Sequence, residues 1–294
     1  MNSKAVIRKM EQSLDDIRAL TRVFEHAAAR KMDINRTEIA KLANHLKEAT
    51  NTYYSVKVAE VGNKKNKAAL LASSYRTIKK KKVLILVSSE SKYFGNLINS
   101  LVGRFALEFG QGGADGIVIG KVGKNLLKKL GFAAPNVIYF DFDDEKPDWS
   151  VVSRVNNVLG DYEQIVIYYG QYKSILTQDL KREEISQSVV VKSMPNLKKY
   201  DFEPAAPVAL GLLEKQIISS NFLQKLYETG LTKNAVAVKV LEIGFIAQRI
   251  NISLLEIAKF KLKLGKDINN RKQTQLFGSR DLWEKGGIFT ANRQ

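Results

Sequence analysis

The stretch AVAVKVLEIGFIAQRINISLLEIAKFKLKLG, Ala235–Gly265, decides the fold. Val236, Ile243, Ile250, Ile257 and Leu264 recur every seven residues, and Ile246, Ser253 and Phe260 fill the intermediate positions. That repeat marks a helix built to lie along another helix. A matching stripe runs near the other end, through Ile7, Met10, Leu14, Ile17, Thr21, Phe24 and Ala28, in a segment without proline. Its steps of three and four are narrower than the apolar face of an ordinary surface helix, which favours a coiled-coil seam. Ile39, Leu42 and Leu46 continue it imperfectly. Two such helices at opposite ends predict an antiparallel pair closed by a domain inserted between them. Gly244 and Gly265 fall inside the second helix, where each costs about 1 kcal/mol relative to alanine.

The middle of the chain changes period. Lys82–Ser89 (KVLILVSS), Gly116–Gly120 (GIVIG), Val137–Phe140 and Gln164–Tyr169 (QIVIYY) are strand-length apolar runs. Helical stretches at Leu97–Phe109, Lys124–Leu130 and Trp149–Leu159 alternate with them. Strands apolar on both faces and separated by helices predict a mostly parallel sheet covered on both sides. Ser186–Lys192 (SQSVVVK) is expected as an additional strand, and Pro204 marks the exit toward the last helices. The expected division is a first helix over residues 1–60, a basic connector over 61–81, an α/β domain over 82–204 and C-terminal helices over 205–294.

With 47 Lys+Arg against 30 Asp+Glu, the 294-residue chain carries a net charge of +17, so its partners should present acidic surfaces. Val61–Lys82 alone holds eight basic residues and no acidic one, read first as a solvated connector and second as a phosphate contact. A nucleic-acid-binding protein is the reading this charge suggests at once. Against it, Tyr75 is the segment's single aromatic residue that could stack on a base. No cysteine is present, which excludes a disulfide framework and a thiolate metal site, and only two histidines are available, His26 and His45. No run approaches the roughly 20 apolar residues of a membrane span, and MNSKAVIRKMEQSLDD lacks an apolar secretory core, so an intracellular soluble chain is expected.

Glycines in FGQGGADG and GKVGKN suggest a nucleotide cradle but fail on spacing. GxGxxG needs glycine where Asp115 stands, and Gly120-Lys121 is followed by Val122 rather than the Ser or Thr of a P-loop. Acidic pairs Asp143-Asp144 and Glu183-Glu184 have no nucleophile or metal ligand beside them in sequence. No catalytic, cofactor or metal residues are assigned.

Local motifs along most of the chain resemble the gamma subunit of F-type rotary ATP synthases. Ile7, Arg8, Ser13, Leu14, Leu20, Thr21, Phe24, Ala28, Ala29, Lys31 and Met32 fall, several as conservative replacements, on that family's first-helix pattern. VSSESKYFGNL (Val87–Leu97), IGKVGKNLLKKLG (Ile119–Gly131), Tyr200–Pro204 and NNRKQTQL (Asn269–Leu276) resemble further family segments in the same order. Ser91, Lys92 and Phe94, the apolar Phe245–Arg249, a longer last helix and Gly278 depart from it, which marks a divergent member.

The resemblance implies α/β plus coiled coil: long antiparallel N- and C-terminal helices forming a shaft, with an inserted Rossmann-like, mostly parallel α/β foot domain. It implies a non-catalytic rotor that couples ATP hydrolysis or synthesis in a surrounding ring of alpha- and beta-type subunits to rotation. ATP or ADP and Mg are then held by the partner subunits, and no cofactor by this chain. An epsilon-type subunit and a membrane rotor ring, or another linker, would join the foot; nucleic acid is not expected. The family's catalytic subunits present acidic loops to the shaft, so the basic faces of the two helices, with the C-terminal motif, give ring-contact candidates Arg8, Lys9, Arg18, Arg22, Asn269, Arg271, Lys272 and Gln273, and the α/β motifs give foot-domain positions Ser89, Glu90, Gly95, Gly120, Lys121, Gly123 and Glu203. The implied place is the cytoplasmic side of a membrane in a peripheral complex, taking a bacterial origin. An alternative keeps the architecture and assigns it to a hydrolysis-driven motor for mechanical work such as motility; a coiled-coil adaptor would explain the ends alone.

Overall fold

A computed structural model describes residues 3–62, 80–90, 96–132, 136–142, 149–185 and 205–290. The expected strand at Ser186–Lys192 and most of the 61–81 connector lie outside the described residues. Helix α1 (Ser3–Gly62) precedes β1 (Lys80–Val87), α2 (Leu97–Gly110), β2 (Asp115–Ile119) and α3 (Lys121–Lys129). There follow β3 (Val137–Phe140), α4 (Trp149–Leu159), β4 (Tyr162–Tyr172), β5 (Gln178–Glu184) and α5 (Ala206–Thr290), a single helix of 85 residues. The chain forms two compact units, one of Glu25–Val240 and one of Met1–Phe24 with Leu241–Gln294.

The larger unit is organised by β1. The sheet order is β3-β2-β1-β4-β5. Ile85 pairs with Ile117 of β2 and Ile167 of β4, both in parallel, and β5 closes the sheet antiparallel to β4. Because side chains alternate across a strand, the run VLILV supplies two cores at once. Val83, Ile85 and Val87 face α4 and α5 through Val155, Leu159, Ile218 and Phe222. Leu84 and Leu86 face α2 and α3 through Leu101, Phe105 and Leu127. All five residues are at most 1% exposed.

Within this unit α1 and α5 are covering elements of the same body. Ala49, Tyr53, Tyr54 and Val56 of α1 pack on Leu210 and Ile217 of α5, and Ala28 and Met32 pack on Leu231, Ala235 and Val238. Tyr53 donates to Glu214 Oε1 at 2.8 Å. An added Cβ at Gly230 would lie 3.0 Å from Asn35 Nδ2, which shows how closely the two backbones approach.

The fold class expected from the sequence requires correction. The sheet is a small mixed one of five strands, and the terminal helices do not form a gamma-like shaft closed on the seam read from the heptads. In the smaller unit the partly buried positions of α1 are Val6, Ile7, Glu11, Leu14, Arg18 and Thr21, whereas Met10, Ile17 and Phe24 of the expected seam are exposed. On α5 the partly buried positions are Leu241, Gly244, Phe245, Gln248, Ile252, Leu255 and Ala258, and Ile243, Ile246, Ile250, Ile257, Phe260 and Leu264 stand exposed. The physical reason is that α5 is apolar on two opposite faces, and the more regular stripe is the one turned outward.

Strand β5 escaped the sequence reading because QDLKREE has no apolar alternation; its charges suit an edge strand. Phe105 is fully buried and stacks with Phe109 and edge-on with Tyr168. Phe105→Ala should lower unfolding stability by about 3–5 kcal/mol in denaturant titration, while Leu107→Ala on the solvent side of α2, where Leu107 is 75% exposed, should change it little.

Candidate partner-contact surface

Two regions hold the residues singled out from the sequence. The first is the smaller unit. There Arg18 and Arg22 lie over the Phe245 ring, 5.3 and 5.8 Å from its centroid, Gln248 Nε2 donates to Thr21 Oγ1 at 3.4 Å, and Lys259 pairs with Glu11. These partners fall in opposite sequence order on the two helices, so the helices run antiparallel along a seam in which these polar groups are set among apolar ones. Arg18 Nε and Gln248 Oε1 are buried there without hydrogen-bond partners. The apolar residues turned outward, from Ile17 at 47% to Leu276 at 68%, are far more exposed than a solvated helix pair requires.

Arg8, Lys9 and Arg22 are exposed on α1, with Arg18 tucked partly under Phe245. Asn269, Arg271, Lys272 and Gln273 are exposed on α5, in a stretch from Lys259 to Gly278 in which every residue is exposed. The structure therefore brings Arg18 and Arg22 together, leaves Arg8 and Lys9 exposed earlier on α1, and places Asn269, Arg271, Lys272 and Gln273 on a separate, basic segment that also carries Lys259, Lys261, Lys263 and Lys266.

The second region lies at the C-terminal ends of β1 and β2. Ser88 is its organising residue. Its Oγ donates to the Ile119 carbonyl at 2.6 Å and accepts from the Gly123 N–H at 3.0 Å, and its own N–H reaches Ile119 O at 2.9 Å. The buried Ser89 accepts from the Val122 N–H at 3.0 Å, and Gly120 donates to Phe140 O at 2.9 Å. Gly120 has φ +95°, and a Cβ there would sit 2.8 Å from Ser88 Oγ. At Gly123 the corresponding distance is 2.6 Å. Glu90 accepts from the Phe142 N–H at 3.2 Å and pairs with Lys121 at 2.9 Å. Ser89, Glu90, Gly120, Lys121 and Gly123 are thus gathered into one stitch between three strands and α3; Gly95 and Glu203 lie outside the described residues.

This stitch consumes the donors that a phosphate would need. The first N–H groups of α3 are spent on Ser89 O, Ser88 Oγ and Gly120 O, so its N-terminus is closed to an anion. Open α/β sheets take ligands at the crevice between strands such as β1 and β4, and near the end of β4 Thr232 of α5 packs closely on Gly170. Thr232 Oγ1 donates to Gly170 O at 3.0 Å, and a Cβ on Gly170 would lie 3.1 Å from Thr232 Cγ2. Among the described residues no group of three or more His, Cys, Asp or Glu could hold a metal. His26 is exposed, and His45 Nε2 lies 2.9 Å from Gln216 Nε2.

Two charge networks were not legible in the sequence. Glu108 of α2 accepts two bonds from Arg182 of β5 at 2.8 and 2.9 Å, one from Lys82 of β1 at 2.8 Å and one from Tyr168 of β4. The Arg182 guanidinium, aided by Lys82 and Tyr168, holds the Glu108 carboxyl well below the usual range, and burial with the Glu108 contact pushes Tyr168 up to about 12. On the other face Lys225 of α5 pairs with Glu183 at 3.0 Å and Glu228 at 3.5 Å and lies 4.7 Å from the Tyr169 ring centroid. Both networks tie helices to the sheet, and neither opens onto a reacting centre.

No protein-family model matches the chain, and no curated protein matches it. Its fold is similar to solved parts of rotary ATP synthases. A chain in the central stalk and c-ring structure of Tetrahymena thermophila mitochondrial ATP synthase matches with TM-score 0.51 at 15% identity, over 76% of this chain and 99% of that one. A chain of the Euglena gracilis mitochondrial ATP synthase rotor matches with TM-score 0.52 at 12% identity, over 88% and 98%. One in the OSCP/F1/c-ring assembly of the same enzyme matches with TM-score 0.50 at 12% identity, over 97% and 96%. At these identities the likeness is one of fold.

Two expectations fall here. Identification as a gamma subunit does not stand, because no family match carries it and the neighbours are described as central stalk, c-ring and rotor. Placement on the cytoplasmic side of a bacterial membrane is likewise overturned, because the neighbours are mitochondrial assemblies that include the membrane ring. No helix among the described residues is long and apolar enough to cross a membrane.

The Glu108 network makes a pH prediction. A carboxyl whose folded pKa is depressed stabilises the fold above its unfolded value, about 4.3, and that contribution is lost as the pH falls through the folded pKa. Wild type should therefore exceed Glu108→Gln in stability at pH 7, with the gap closing as denaturant titrations are repeated from about pH 5 downward. Gly123→Ala should destabilise by about 1–3 kcal/mol at any pH, because the new methyl meets Ser88 Cβ, 2.9 Å away, as well as its hydroxyl.

Proposed function

We propose that the chain is a non-catalytic rotor element of an F-type rotary ATP synthase or ATPase, acting in the central stalk. The observation that carries this reading is the smaller unit: two antiparallel helices with apolar residues facing outward on opposite sides and an exposed basic extension. A helix apolar on two opposite faces needs more than one neighbour to cover it, and an axle enclosed by other subunits meets that requirement. Fold likeness to central-stalk and rotor chains of two organisms, nearly over their full lengths, supports it.

In this role the chain performs no chemistry. Catalytic alpha- and beta-type subunits hold ATP or ADP with Mg, and an asymmetric helix pair turning among them favours a different conformation of each catalytic site at each angle. The basic residues of α5 meet acidic surfaces on that ring, while the α/β unit joins an epsilon-type subunit and a membrane rotor ring or other linker. Exposed ion pairs of about 0.2–1 kcal/mol each suit contacts that must break and re-form every turn.

Purification of the native complex through a tag on this chain should recover an ATP-hydrolysing ring. In that complex, Arg271→Glu with Lys272→Glu should lower coupled ATP hydrolysis by about twofold to tenfold, the loss of two such pairs. An unchanged rate in a fully assembled complex would remove the ring-contact assignment, and recovery of the chain without any ATPase ring would remove the rotor reading.

A further inference from the structure

The geometry points to a two-position seam between α1 and α5 in the smaller unit: the Ile7–Thr21 part of α1 can turn about the helix axis to exchange its present mixed contact line, which carries Glu11 and Arg18, for an adjacent, more apolar one. Ile7, Leu14 and Thr21 belong to both lines. In the present position the intervening places on α1 are filled by Glu11 and Arg18, and in the second they would be filled by Met10 and Ile17. The two lines differ by half a residue's turn, roughly 50° of rotation at 100° per residue.

Three observations support exchange over a fixed seam. The present position buries polar atoms without satisfying them, Arg18 Nε on α1 and Gln248 Oε1 on α5. It leaves Met10 and Ile17 half exposed, at 50% and 47%. Room for the second position already exists as an open groove of about 840 Å³ whose lining includes Met10 and Ser13 on α1 and Asn251 and Leu254 on α5, the side toward which Met10 would turn.

Opposing energies of similar kind hold the balance. The present position has the Glu11–Lys259 ion pair and the Arg18–Phe245 ring contact, both partly exposed and individually weak. The second would bury two large apolar side chains and free the unpaired groups. Polar residues at seam positions select one register at a cost in stability, and packed interfaces change between discrete arrangements more readily than they deform.

The chain has no cysteine, so labelling is direct. Nitroxides on Ser13→Cys and Asn251→Cys, two exposed groove positions outside both contact lines, report the rotation in the full-length protein by pulsed electron double resonance. Two distance populations are expected. Arg18→Leu, which replaces one of the two charged residues of the present line by an apolar one, should raise the ratio of the present to the second population at least tenfold, and Met10→Glu with Ile17→Glu should abolish the second. A single population that neither set of substitutions shifts would overturn the proposal. Because the switch needs no partner, this result is separate from the fate of the rotor reading.

Discussion

A helix that is apolar on opposite faces cannot be satisfied by one neighbour, and this constraint governs the smaller unit. Along α5, Phe245, Ile252 and Leu255 turn toward α1 while Ile243, Ile250 and Ile257 turn away. Water is a poor environment for the second set, since burying each such side chain fully is worth about 1.5–3 kcal/mol. Enclosure of this face is what the proposed rotor role would provide. The mixed seam on the inner side, where Glu11, Arg18 and Gln248 sit among apolar residues, follows from the same distribution, because the sequence places its most regular stripe where α1 is not.

The larger unit obeys a different constraint. β1 is apolar on both faces, so it must lie in the centre of a sheet with helices on each side, and the rest of the unit assembles around it. Ser88 and Ser89 occupy the donors of α3, and Thr232 packs closely on Gly170 near the end of β4. The unit's helices are pinned to the sheet by Glu108 on one face and Lys225 on the other.

The legible part of this fold was the part written in local pattern. KVLILVSS, GIVIG, VIYF and QIVIYY lie at β1 to β4, because strands buried on both faces leave uninterrupted apolar runs. β5 was not legible, since an edge strand carries charge in place of that signal. The helix pairing misled for a related reason: apolar periodicity reports that a face will be buried without saying by what. Met10, Ile17 and Ile250 were matched to a partner within the chain, while the actual contacts use Glu11, Arg18 and Gln248. The motif positions near Gly120 were found as a pattern, but their meaning depended on Ser88, a buried serine 35 residues from Gly123 that no local rule connects to it.

The most direct test of the rotor account is rotation itself. With the native complex immobilised through its catalytic ring and a probe attached to this chain, addition of ATP should drive continuous unidirectional turning of the probe at a rate set by hydrolysis. A complex that contains the chain and hydrolyses ATP while the probe stays fixed relative to the ring would contradict the account.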